Sequence, residues 1–220
     1  MVCTKKEAEA VFAEAKKQNT FVMEGMWARF LPQVVQAKKW LEEGRIGHVE
    51  LATSTVAFRA EYDPESRLFN PVLAGGAVWD VGVYALELIT FLMGEQPLEV
   101  QPMITCTPSG VDRAASINLR FSDSLACAQT TCMASTRNGI ALNGTEGSIW
   151  IPDALHDKEA LFYNRKGELA EHFIADFENG FVWEVEEAIR CVREGKLESP
   201  VIPWSDTIAC AGIFDTVLGV

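Results

Sequence analysis

The sequence contains no G-x-G-x-x-G, no C-x-x-C and no G-x-S-x-G. It therefore lacks the glycine turn that cradles a dinucleotide, the usual thiol pair of zinc and redox sites, and the nucleophile elbow of serine hydrolases. Histidine is scarce. His48, His156 and His172 lie far apart, and none stands at metal-ligand spacing from a cysteine. Basic charge is short too: 19 Lys and Arg against 31 Asp and Glu leave a net charge of −12. That argues against nucleic acid or an anionic membrane as partner. The longest apolar stretch, Val81 to Met93, is broken by Glu87 and Thr90 and falls short of a bilayer span. The N-terminus is charged and shows no signal-peptide core. A cytoplasmic protein is the simplest expectation, with six reduced cysteines serving as small core residues.

Hydrophobic residues make up 48% of 220 residues, enough for a sizeable core. Thr4 to Lys17 is a helix, with Thr4 and Glu7 forming a capping box and Ala8, Val11, Phe12 and Ala15 its apolar stripe. Thr20 to Met26 follows as a short strand, an order that belongs to a parallel α/β layer. A second helix, Pro32 to Glu43, carries Val34, Val35, Ala37, the Lys38 stem and Leu41 on one stripe. A long strand, Ile46 to Ala60, leads into a loop and then a helix from Asp80 to Met93. From Leu98 to Ile174 short strands alternate with turns at Ser122–Ser124, Asn143–Gly147 and Arg165–Gly167. Two helices, about 180–194 and 205–218, close the chain. The fold class is α+β: a large, open, mostly antiparallel sheet with helices on one face, preceded by a helix–strand piece. An open sheet leaves a second face to cover, and pairing with a copy of itself predicts a two-fold homodimer.

The most informative stretch is residues 75–94, GGAVWDVGVYALELITFLMG. A spacing of four puts Asp80 and Tyr84 on one helix face, one turn apart. An acid and a phenol there can pass a proton to or from a bound alcohol or carbonyl. The same residues also serve as an ordinary first-turn acid and a half-buried aromatic, and spacing alone does not separate the two. Trp27, Arg29 and Phe30 leave the predicted strand at its carboxyl end, where open α/β sheets place ligands. Arg67, in the loop before the glycine pair, could grip a carboxylate, phosphate or sugar hydroxyl.

Taken together, these segments resemble the Gfo/Idh/MocA oxidoreductase family, in the branch acting on dihydrodiols and D-xylose. The pieces that carry the resemblance are KKEAEAVFAEAKKQNTFVMEGMWARFLP, LEEGRIGHVE, DPESRLFNPVLAGGAVWDVGVYALELITFLMG, NGTEGSIWIP and VREGKLESPVIPWSDTI. D-x-G-x-Y after a glycine pair and E-G-x-W-x-R-F-x-P are its most specific motifs. The resemblance implies a tail of a Rossmann domain over 1–26 and a substrate and dimerisation domain over 27–220. It implies hydride transfer between NADP or NAD and a sugar, polyol or dihydrodiol. Tyr84 would be the general acid/base and Asp80 its polar partner. Trp27, Arg29 and Phe30 would border substrate and nicotinamide, with Arg67 a further substrate contact. No metal is implied. The family's glycine-rich loop and its Glu-Lys-Pro lysine find no counterpart in these 220 residues. The expectation is a truncated chain, inactive alone, with a non-catalytic dimerisation or binding module as the alternative.

Overall fold

A computed structural model describes residues 2–220. The chain forms two compact units, one made of residues up to Leu31 together with Phe177–Val220, the other of Pro32–Asp176.

In the first unit, helix α1 (Lys5–Lys17) begins at the predicted capping box: the Glu7 N–H donates to the Thr4 side chain and the Glu7 carboxylate receives the Thr4 N–H. Its buried stripe is Ala8, Phe12 and Ala15, whereas Val11 is exposed. Helices α4 (Val182–Arg193) and α5 (Trp204–Leu218) complete the unit. Phe12 stacks on Trp204 with ring centroids 5.1 Å apart, and the Trp204 indole donates to the Val22 carbonyl at 2.8 Å. Thr20–Met26, expected as a strand, runs without a ladder. Among the described residues its bond to a distant backbone is Val22 N–H to Leu197 C=O, 3.0 Å, and no strand among them lies beside it to supply a ladder.

The second unit is an eight-stranded sheet in the order β2-β3-β4-β1-β5-β6-β7-β8. Its strands are β1 (Val49–Ala57), β2 (Glu99–Cys106), β3 (Asp112–Arg120), β4 (Leu125–Thr131), β5 (Gly139–Gly144), β6 (Gly147–Pro152), β7 (Glu159–Asn164) and β8 (Leu169–Ile174). Every neighbouring pair is antiparallel except β1 with β4. The α+β class and the open, mostly antiparallel sheet therefore stand as expected. Helix α2 (Pro32–Glu42) packs on β6, β7 and β8, and helix α3 (Val83–Met93) on β1 and β4. Beneath them lie Ala52, Ser54 and Val56 of β1 and Ala126, Ala128 and Thr130 of β4, while Leu51 and Leu125 face outward. The α2 stripe is set one residue off the expected one: Gln33, Val34, Ala37 and Trp40 are buried and Val35 is exposed. Gln33 is held inside because its amide donates to the carbonyls of Ala154 (3.1 Å) and Asp157 (2.8 Å).

Pro71–Met93 is long and apolar enough to cross a membrane by length and composition alone, but 56% of its most apolar window is buried within the protein. Its helix α3 buries even Glu87, so the run serves here as a core element against the sheet. The expected helix start at Asp80 needs correction. Val78–Gly82 is a single π-helical turn, closed by the Val83 N–H on the Val78 carbonyl, and regular α-helix begins only at Val83. Asp80 lies within the π turn and Tyr84 in the first turn of α3, so the two follow one another on one continuous helical run.

Candidate functional site

The glycine pair explains how the loop and the π turn meet. A Cβ at Gly75 would lie 2.7–2.8 Å from the carbonyl oxygens of Leu68, Arg67 and Asn70. Only a residue without a side chain lets those backbones cross so closely. The Gly76 N–H then donates to Leu68 C=O at 2.8 Å and Gly75 N–H to Asn70 C=O at 3.0 Å. These bonds fix the Arg67–Phe69 turn beside the π turn. As a result Arg67 donates through Nη2 to Asp80 Oδ1, a charge-assisted pair. The Asp80 side chain is 18% exposed, while Arg67 is open to solvent at 65%. Tyr84 is half-buried one step further along. The structure therefore brings Arg67 and Asp80 together, with Tyr84 next on the same run.

A residue absent from the sequence reading stands beneath them. Asp112, 4% exposed at the start of β3, accepts the Val78 N–H at 2.8 Å. The N–H groups of Ala77 and of Asp112 itself also bond to it. Burial pushes its carboxyl up from the ordinary range, and these three N–H groups pull it part of the way back. Cys132 shares the small apolar cluster of Phe69, Ala77 and Val111. Burial first, and the charge of Asp112 second, push its thiol up to about 11, so it is a neutral thiol and no nucleophile. An acid opening a strand straight after a glycine turn was the signal available for Asp112.

Trp27, Arg29 and Phe30 form a short 3-10 turn in the other unit. Trp27 lies against Phe181, ring centroids 4.6 Å apart, and a Cβ at Gly180 would come within 2.8 Å of the indole. Arg29 is 1% exposed; its guanidinium donates to Asp206 Oδ2 at 2.6 Å and to Val201 C=O at 3.0 Å. It ties the Trp27–Phe30 turn to the start of α5. Phe30 is half-buried. In α4, Arg190 holds the Glu187 carboxyl down to about 2 against the opposing effect of burial, helped by Ser199 and Cys191. Among the described residues no three His, Cys, Asp or Glu gather as a metal site.

The site thus combines a buried acid anchoring a glycine-bounded turn, an Arg–Asp pair at its mouth and a phenol further along the same run, on an open α+β sheet. Residues 34–150 match the GFO/IDH/MocA C-terminal domain. The chain belongs to the GFO/IDH/MocA family. Among curated relatives it is 31% identical to trans-1,2-dihydrobenzene-1,2-diol dehydrogenase of Danio rerio, over 96% of this chain and 65% of that protein. It is 26% identical to D-xylose 1-dehydrogenase (NADP+) of Hypocrea jecorina, over 93% of this chain and 61% of that protein. The chain thus spans less than two thirds of the length of these two relatives. The same fold occurs in the aldose–aldose oxidoreductase of Caulobacter crescentus complexed with glycerol (TM-score 0.88, 23% identity, 98% of this chain and 66% of that one). It occurs again in levoglucosan dehydrogenase complexed with NADH and levoglucosan (TM-score 0.86, 20% identity, 99% and 68%).

Proposed function

We propose that the protein is the substrate-handling part of an NAD(P)-dependent dehydrogenase of sugars, polyols or dihydrodiols. The observation that carries this reading is the Arg67–Asp80 pair at the mouth of the helical run bearing Tyr84, in a family whose relatives include diol and D-xylose dehydrogenases. Nicotinamide, when bound, supplies the hydride acceptor or donor. The chain's own residues do the rest. Asp80, fixed by Arg67, accepts a hydrogen bond from a substrate hydroxyl and sets its orientation. Tyr84 takes or returns the hydroxyl proton as general acid/base. Trp27 and Phe30 are the aromatic side chains of the short turn in the first unit. Arg29, already bonded to Asp206, orients their turn. The donor set fits a hydroxylated ligand and the nicotinamide end of the cofactor. A pyrophosphate needs converging backbone N–H groups on a glycine turn, and the close-set Gly75–Gly76 pair spends its N–H groups on Asn70 and Leu68.

On this reading residues 1–26 are the tail of a nucleotide-binding domain and 27–220 the substrate and dimerisation domain. Two copies pair through the open sheet face, where Leu51, Leu125, Cys127 and the Glu99–Arg120 ion pair line a cleft of about 240 Å³. On the same reading the protein works in the cytoplasm, a compartment that keeps thiols reduced. The test is NADPH titration followed by fluorescence, with oxidation of D-xylose and trans-dihydrobenzenediol assayed on the 220-residue chain and on the longest product of its gene. The expected result is no saturable NADPH binding by the 220 residues, and NADP+-dependent oxidation by the longer product that falls at least 100-fold in kcat in Tyr84→Phe. Oxidation undiminished in Tyr84→Phe, or no oxidation by any product, would overturn the proposal; the second outcome leaves a binding or dimerisation module.

A further inference from the structure

The strand register of β3 contains an irregularity that bears directly on the site. Thr105 pairs with Ala114, yet Cys106 pairs with Asp112, so Arg113 is an extra residue bulged out of the β2–β3 ladder. Further along β3, alternation puts Ala115, Ile117 and Leu119 under the helices and leaves the even-numbered residues on the open face. Without the bulge, Asp112 would belong to the open face. The bulge reverses it, and the carboxylate enters the covered side below the π turn. On its β4 side the Arg113 carbonyl accepts the Cys132 N–H at 3.1 Å and the Thr131 hydroxyl at 2.9 Å. The bulge is therefore itself fixed in place.

Once inside, the carboxylate meets three features of the turn. It accepts the Val78 N–H and the Ala77 N–H, two backbone donors at the start of the helical run that have no helical acceptor. It also closes on Gly76, whose φ of +129 is one that side-chain-bearing residues rarely adopt, and a Cβ there would overlap Asp112 Oδ1. Gly76 in turn donates to Leu68 beside Arg67. One buried acid thus fixes both the glycine segment entering the π turn and the loop that delivers Arg67 to Asp80. Cys132 lies within reach of the charges of both Asp112 and Asp80.

We infer that Asp112 is a positioning residue for the Asp80–Tyr84 site, turned inward by the Arg113 bulge to hold the π turn in register with the Arg67 loop. The inference rests on the reading of Asp80 and Tyr84 as the reacting groups, and its test separates the two. The variants are Asp112→Asn, Asp112→Ser, which keeps one acceptor in less volume, and Cys132→Ala, which loosens the same apolar cluster without touching the turn. Amide hydrogen exchange on the 220-residue chain is expected to speed up at least tenfold at Gly76, Ala77 and Val78 in both Asp112 variants, with β5–β8 unchanged. Cys132→Ala is expected to leave those three amides within twofold of the wild type. In the gene product that oxidises substrate, Asp112→Asn is expected to lower kcat at least tenfold with KM within twofold, and Cys132→Ala to leave both unaltered. Unchanged exchange at Gly76–Val78, or unchanged kcat in Asp112→Asn, overturns the inference. Should the wild-type product oxidise nothing, the dehydrogenase reading fails, and the exchange rates alone decide whether Asp112 sets the turn.

Discussion

Gly76→Ala tests the local geometry most sharply. The backbone at Gly76 sits at φ +129, and a Cβ built there would lie 3.1 Å from Asp112 Cγ and closer still to its Oδ1. Two costs add. Holding an alanine in that sparsely populated region costs about 1–3 kcal/mol. Moving Asp112 aside strains or breaks its bonds to the Val78 and Ala77 N–H groups, about 1.5–3 kcal/mol for bonds to a buried charge. The sum is about 2.5–6 kcal/mol, a large share of the ~5–15 kcal/mol that holds a domain together. The control is Gly167→Ala in the same unit. Gly167 also has positive φ, +77, but nothing lies within 4 Å of its would-be Cβ, so it reports the backbone cost alone, about 1 kcal/mol. Urea unfolding followed by tryptophan fluorescence gives both numbers at constant m-value. If Gly76→Ala costs no more than Gly167→Ala, the close packing of glycine on the carboxylate carries no energy and the reasoning about this turn is wrong.

Three further outcomes follow from other parts of the molecule. Glu187 is held near 2 in the folded protein against an ordinary value of 4.5, so its stabilisation is complete above about pH 4.5 and is lost as pH falls towards 2. With Arg190 41% exposed, the screened contribution is about 1–2 kcal/mol; the stability gap between wild type and Glu187→Gln should close over that window, and a gap independent of pH would refute the assignment. Arg29→Met removes the buried partner of Asp206, which is itself a quarter exposed, and should cost about 2–4 kcal/mol in urea unfolding; a loss under 0.5 kcal/mol would make the pair incidental. If the proposed homodimer pairs through the open sheet face, Leu51→Arg, which places a charge at its centre, should give a monomer where the wild type sediments as a dimer at micromolar concentration; a coefficient equal to that of the wild type would remove that face from the interface.

Much of this architecture is legible from residue order. Turn residues at Ser122–Ser124, Asn143–Gly147 and Arg165–Gly167 mark the β3–β4, β5–β6 and β7–β8 hairpins, because short antiparallel strands are bounded by local chemistry. Thr4 and Glu7 announce α1 for the same reason. Where the determinant is a distant partner, the sequence is silent. Val35 looks as apolar as Val34, yet it faces solvent because Gln33 finds two carbonyls inside. Thr20–Met26 has strand composition but, among the described residues, no strand beside it. Of the site, Arg67, Asp80 and Tyr84 could be singled out from spacing around the glycine pair. The π turn could not, since it depends on where Asp112 lies in space, and Asp112 lies there only because of a one-residue bulge that alternation does not reveal.

The parallel pairing of β1 with β4 has a kinetic consequence. β2–β3–β4 and β5–β6–β7–β8 are two meanders that can each zip from local turns. β1 is made before either, yet its partners are Leu125–Thr131 on one side and Gly139–Gly144 on the other. It can be seated only after both have been synthesised, and closing those long loops is the slow step in folding such a topology. Until then a strand rich in Val, Thr and Ala waits with both hydrogen-bonding edges open. β1 is thus the keystone of the sheet, and the interval before it locks is when a nascent chain is most exposed to strand exchange with its neighbours.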